Sequence, residues 1–170
     1  MKAPPFTYVR ARTIAEAFDL LERHGDAAKI LAGGQSLMPV LNMRLSSPAL
    51  LIDISRLGEE NRELSGISVK DDHVHIGALA THAQIGESME IRRHLPLMSD
   101  AAKHIAHPAI RNAGTLGGSL ATADPAAEWP ACCVALNARM VLACKTGTRS
   151  VAARDFFQGL YATALQPRDI

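Results

Sequence analysis

Arg111-Asn112-Ala113-Gly114-Thr115-Leu116-Gly117-Gly118-Ser119 runs through Leu120 to Pro125 into an apolar segment, Ala126 to Leu136. Much earlier, Ala32-Gly33-Gly34-Gln35-Ser36 follows a short apolar strand. Each glycine pair stands between a predicted strand or loop and a predicted helix. Two such junctions point to one ligand gripped by bare backbone from two sides, most simply a pyrophosphate. Consecutive N–H groups converging in a concave turn hold a phosphate well, and a helix N-terminus adds to them. Glycine permits positive φ and removes the β-carbon that would keep backbone away from phosphate oxygens. Ser36 is placed to cap the next helix or to donate to phosphate. Thr115 and Ser119 are expected to bring hydroxyls to the same anion, and Arg111 to add charge. Neither loop carries the lysine of phosphoryl-transfer loops, so binding rather than transfer is expected.

Working outward, Phe6 to Arg10 alternates as a short strand, and Thr13-Ile14-Ala15-Glu16 is a capping-box pattern opening a helix that ends near Gly25. Ala28 to Ala32 and Leu50 to Ile54 read as buried strands, with a helix over Leu37 to Leu45 between them. The opening third is therefore a β-α-β-α-β unit. The texture then changes. Gly66 to Lys70 and His73 to Ala78 alternate across Asp71-Asp72 as an antiparallel hairpin. Thr81 caps a short helix, and a stronger one is predicted from Leu97 to Ile105. A strand from Arg139 to Ala143, a turn around Thr146-Gly147 and a strand from Arg149 to Ala152 follow the helix at Ala126–Leu136. The fold class is α+β, in two lobes covering 1–55 and 56–170 and divided near Ser55 to Asn61.

Composition bounds the function. The chain has 170 residues and a formal net charge of +1, enough for one substantial core and without a basic patch for nucleic acid. No apolar run reads as a signal peptide or a membrane span, so a soluble cytoplasmic protein is expected. Cys132, Cys133 and Cys144 fit neither a zinc spacing nor a disulfide framework and read as small buried hydrophobes. No Gly-x-x-x-x-Gly-Lys-Ser/Thr occurs, and no Gly-x-Gly-x-x-Gly, which argues against a nucleoside triphosphatase and a Rossmann domain.

These stretches resemble the FAD-binding medium subunit of the molybdenum hydroxylases, the xanthine dehydrogenase and aerobic carbon monoxide dehydrogenase family. The matching text is Ala32-Gly33-Gly34-Gln35-Ser36-Leu37 leading to Met43-Arg44-Leu45; Ile76-Gly77-Ala78 with Thr81-His82; and Arg111 to Ser119 through Ala123-Asp124-Pro125-Ala126-Ala127-Glu128. The resemblance implies a two-subdomain FAD-binding domain of the PCMH (vanillyl-alcohol-oxidase-like) type, with the dinucleotide between a small β-α-β-α-β lobe and a larger mixed α+β lobe. By position, Leu31, Ala32, Gly33, Gly34, Gln35, Ser36 and Leu37 would enclose the pyrophosphate with Thr115, Leu116, Gly117, Gly118 and Ser119. Glu128 matches an acidic position that bonds the flavin's sugar-like chain, and Ile105 an apolar position near the ring system. No catalytic residue and no metal ligand is implied on this chain. The family's C-terminal flavoprotein domain is expected to be absent. The implied role is an oxidoreductase subunit: electrons from a molybdenum-cofactor large subunit cross an iron–sulfur small subunit to FAD here, and leave to an external acceptor.

Other readings compete residue by residue. His73 and His75 share a strand face but fit an exposed hairpin better than a metal site. His104 and His107 border the second loop, and His82 packs in the Thr81 turn. Glu128 and Asp124-Pro125 also suit the start of a helix. Trp129 reads as core or interface, and Arg44 as a solvated charge or a helix-end or partner-subunit contact. At the level of the whole chain, a stand-alone FAD oxidoreductase of the same fold and a non-catalytic interaction fragment are the alternatives.

Overall fold

A computed structural model describes residues 2–170, so Met1 lies outside the described residues. The first unit is β1 (Thr7–Arg10), α1 (Ile14–His24), β2 (Ala28–Leu31), α2 (Leu37–Asn42) and β3 (Leu50–Asp53). Its strands form a parallel sheet in the order β1-β3-β2, with Thr7 and Ala28 both opposite Leu50. The central strand β3 is buried throughout, as a strand flanked on both edges and packed by helix must be. Thr13 caps α1 by accepting the Glu16 N–H at 3.1 Å, while the Glu16 carboxylate reaches Arg12 N–H at 2.8 Å. Ala17, Leu20 and Leu21 of α1 lie on Leu50 and Ile52, burying the helix stripe against the sheet.

Two one-turn helices, α3 (Leu57–Glu60) and α4 (Arg62–Ser65), lead into the hairpin β4 (Ile67–Lys70) and β5 (His73–Ile76). Asp71 and Asp72 take φ of 51° and 58°, the left-handed pair that a two-residue turn requires. Six short helices follow: α5 (His82–Glu87), α6 (Met89–His94), α7 (Pro96–Ala101), α8 (Pro108–Ala113), α9 (Leu116–Thr122) and α10 (Glu128–Ala135). They enclose a second core of Ile85, Ile91, Met98, Ala102, Ile105, Leu116 and Trp129. The chain then forms the hairpin β6 (Arg139–Cys144) and β7 (Gly147–Ala152), α11 (Ala153–Phe156) and a small hairpin, β8 (Phe157–Gly159) and β9 (Ala162–Thr163). A third core of Cys133, Met140, Leu142, Ala153 and Phe156 lies there, bridged to the second by Leu120.

Three predicted helices change length, each for a local reason. The helix expected over Leu97–Ile105 closes at Ala101: Lys103 and His104 N–H groups bond only three residues back, and Ala106 turns left-handed at φ 37°. Helix α8 then starts on Pro108, which suits a first helical turn. Helix α2 stops at Asn42 because Arg44 takes φ 59° and Leu45 N–H returns to the Val40 carbonyl. Helix α10 starts at Glu128, not Ala126, since Asp124 accepts Ala126 N–H at 2.9 Å in a tight turn of its own. Cys132 and Cys133 are buried as expected, and burial pushes the Cys133 thiol up to about 12; Cys144 is only half-buried. Among the described residues no helix is long and apolar enough to cross a membrane.

Candidate functional site

The first glycine loop leaves the carboxyl end of β2, where α/β sheets commonly bind ligands. Gly34 takes φ +70°, a conformation open to glycine and unfavourable for other residues. Gln35 ties the loop locally, its Nε2 donating to the Gly33 carbonyl at 3.0 Å. The N–H groups of Gly33, Gly34, Gln35, Ser36 and Leu37 find no acceptor among the described residues, and Ser36 makes no side-chain cap bond to α2. Gln35 and Ser36 are exposed, so these donors sit at an accessible rim. Successive free N–H groups around a positive-φ glycine fit a pyrophosphate.

Gly33 does a different job. A β-carbon there would fall 2.0 Å from the Ala113 carbonyl oxygen and 2.9 Å from the Gly114 α-carbon. Its bareness lets the first loop close on the end of α8, one residue before Gly114-Thr115. The two glycine motifs, some eighty residues apart in sequence, therefore meet backbone to backbone.

The second pair is built for close packing more than for donation. Gly117 N–H donates to the Ala78 carbonyl at 2.8 Å, and a β-carbon on Gly117 would meet the Ala78 β-carbon at 2.7 Å. Leu116 N–H goes to Ala80, Gly118 N–H to Thr115 Oγ1 at 3.2 Å, and Ser119 N–H to the Thr115 carbonyl. Backbone N–H groups without a protein acceptor are thus a property of the first loop, and the expectation of a repeated arrangement is revised. The second loop is bare of side chains at Gly117 and Gly118, with Thr115 buried and Ser119 half-buried. Thr115 Oγ1, accepting from Gly118, keeps its own hydrogen to donate.

Glu128 opens α10, half-buried, with no ion pair or hydrogen bond to its carboxylate among the described residues. Ile105 lies in the second core, 8% exposed. Arg111, expected to lend charge to the phosphate, turns one nitrogen inward: Nη1 donates to the Ile105 and Ala106 carbonyls at 2.7 and 2.9 Å.

Two features escaped the sequence reading. Trp129 Nε1 donates to His82 Nδ1 at 2.9 Å within the core, and His82 Nε2 stands where a Gly114 β-carbon would be, at 2.6 Å. Burial pushes the His82 pKa down to about 4, so the ring is neutral at physiological pH. The bond anchors α10 beside Glu128 to the segment supporting the second loop. The motif includes His82, and Trp129 reads as core or interface, but their pairing spans 47 positions and left no local signal. The second feature is Asp53 at the carboxyl end of β3, receiving hydrogen bonds from Tyr8, the Ser55 N–H at 2.8 Å and Arg10 at 3.4 Å. Burial pushes its pKa upward, yet those donors outweigh it and hold the carboxyl below its ordinary value. It braces the sheet end from which the first loop departs.

A family model described as the FAD binding domain in molybdopterin dehydrogenase matches residues 4–170. The chain belongs to this FAD-binding domain family. The medium subunit of nicotine 6-hydroxylase from Paenarthrobacter nicotinovorans is 44% identical over all of this FAD-binding domain and 58% of its own length. Carbon monoxide dehydrogenase from Hydrogenophaga pseudoflava superposes with a TM-score of 0.94 at 40% identity, over 100% of this chain and 58% of that one. Quinoline 2-oxidoreductase from Pseudomonas putida 86 gives 0.92 at 38% identity, with the same coverage. The FAD-binding domain thus spans a little over half the length of these relatives. The α+β architecture and FAD as cofactor agree with the resemblance read from the sequence.

Proposed function

We propose that this chain forms the FAD site of an oxidoreductase subunit in a cytoplasmic molybdenum hydroxylase complex, with an iron–sulfur small subunit and a molybdenum-cofactor large subunit as partners. The free N–H groups from Gly33 to Leu37 carry the reading, since donors without a protein acceptor beside the meeting point of both glycine motifs suit an anion. Leu31 to Leu37 would hold the pyrophosphate from the lobe 1–55, and Thr115 to Ser119 would close on it from the lobe 56–170. Glu128, whose carboxylate has no partner among the described residues, would accept hydrogen bonds from the ribityl hydroxyls, and Ile105 would lie by the ring. When bound, FAD supplies the redox chemistry, taking electrons from the partner clusters and passing them to an external acceptor. The chain's own task is to bind, orient and shield it. Relatives named as medium subunits of hydroxylase and dehydrogenase complexes support that division of labour.

An absorbance spectrum of the purified chain, with chromatography of the released cofactor, tests the site. FAD near one per chain, lost in Gly33→Val, is the expected result. A colourless wild-type chain that also refuses added FAD would favour the interaction-fragment reading instead. Co-purification with iron–sulfur and molybdenum subunits tests the complex, and a flavoprotein isolated without them would favour the stand-alone oxidoreductase.

A further inference from the structure

The turn before α8 is held in an unfavourable conformation by one side chain. Ala106 sits at φ 37°, left-handed, where a β-carbon crowds the backbone. The carbonyls of the two peptide units that flank the Ala106 α-carbon, those of Ile105 and Ala106, both accept from Nη1 of Arg111. Arg111 makes no ion pair among the described residues, so its resolved contacts are to these carbonyls. Hydrogen bonds from an ionised donor are roughly twice as strong as neutral ones and here cluster on a single strained turn.

The position of this staple gives it reach. Arg111 lies in α8, whose Ala113 carbonyl abuts Gly33 and whose cap, Gly114, lies over His82. Thr115 then opens α9 and the second glycine pair. One short helix therefore connects the Ile105 turn to both glycine loops, and Arg111 ties its last turn back to the turn preceding it. We propose that Arg111 is a positioning residue for the flavin, holding the Ile105–Ala106 turn in register with the two glycine loops. The inference rests on the FAD site described above. It assigns Arg111 a role through backbone geometry, not through charge on the pyrophosphate.

Glycine adopts left-handed φ without penalty, so Ala106→Gly should make the staple dispensable. The full chain is prepared as wild type, Arg111→Ala, Arg111→Lys and each with Ala106→Gly. FAD affinity is read by fluorescence quenching, ring orientation by visible circular dichroism of the bound flavin, and turn stability by amide exchange without flavin. Arg111→Ala is expected to weaken FAD binding about tenfold, alter the dichroism and speed exchange across residues 104–107. Arg111→Lys, which keeps charge but loses the planar fork, should fall between them. Ala106→Gly should restore much of the affinity and the wild-type dichroism in both backgrounds.

The proposal fails if Ala106→Gly restores nothing, if Arg111→Ala leaves affinity and dichroism unchanged, or if Arg111→Lys matches wild type while the Arg111→Ala loss vanishes at high salt. The last pattern would make Arg111 a charge on the phosphate. A wild-type chain that takes up no FAD would overturn the site and this inference together; normal wild-type binding with any of the three failures overturns the inference alone.

Discussion

Gly33 and Gly34 are adjacent and would be called equivalent by any motif, yet they do unlike work. The nearest atoms to a β-carbon at Gly33 are backbone, the Ala113 and Gly114 main chain, which cannot rotate away. At Gly34 it would meet Leu31 Cδ1 and Met38 Cγ at 3.3 and 3.4 Å, side-chain atoms able to yield. The cost at Gly34 is therefore its φ of +70°, worth about 1–2 kcal/mol for a residue with a β-carbon. Gly33→Ala should accordingly be the more damaging change, weakening FAD binding on the order of a hundredfold where Gly34→Ala weakens it about tenfold. Titration of both variants with FAD checks the order, and equal losses would contradict the backbone contact seen at Gly33.

Among elements, the junction of α5, α9 and α10 depends on a histidine that must stay neutral. Protonating His82 Nδ1 would oppose the Trp129 N–H with another N–H. Since the folded value of about 4 lies below the unfolded value of about 6.5, the unfolded chain binds more protons between them. Stability should then fall as pH drops from 6.5 to 4, by at most about 3 kcal/mol, and no further through this group below 4. Asp53 acts in a separate window: its lowered pKa contributes stability that is lost only as pH falls below the ordinary aspartate range. Urea midpoints between pH 7 and pH 4 test this, and His82→Gln should flatten the slope. A slope unchanged in that variant would move the effect to another group.

At the scale of the whole molecule, residues 1–55 share the first core with Leu57, Leu64 and Leu79, and they also meet later segments at two distant places. One is the Gly33–Ala113 contact at the site. The other lies on α1, where Lys145 reaches Asp19 at 2.6 Å, Arg168 reaches Glu22 at 3.2 Å, and Ile170 packs on the first core while pairing with Ala143 through both backbone groups. The ion pairs are largely exposed and contribute little each. A ligand held from both glycine motifs should therefore stabilise the whole chain. FAD at a hundred times its dissociation constant is expected to add about 2.7 kcal/mol, a rise of roughly 5–10 °C in Tm for a chain of this size. Gly33→Ala should lose most of that rise, whereas 0.5 M sodium chloride should scarcely change it; a calorimetric scan distinguishes the two.

The amino-acid sequence by itself determined the β-α-β-α-β opening, the Asp71-Asp72 hairpin, the capping of α1 and α5, and the presence of two glycine pairs with their family resemblance. All of these rest on local signals: alternation, a capping hydroxyl, a left-handed turn. The breaks at Ala101 and Asn42 were illegible, because Ala106 and Arg44 are ordinary residues forced to positive φ by their surroundings. The residues proposed for the site were named from motif position, but their division of labour was not. Only the tertiary structure decided that the first loop keeps its donors free while the second uses them on Ala78 and Ala80. It also decided that Gly33 serves the contact between the two glycine motifs, that Arg111 faces carbonyls, and that His82 meets Trp129. The physical reason is common to all four. A hydrogen bond or a missing β-carbon acquires its meaning from the group across from it, and that group lies elsewhere on the chain.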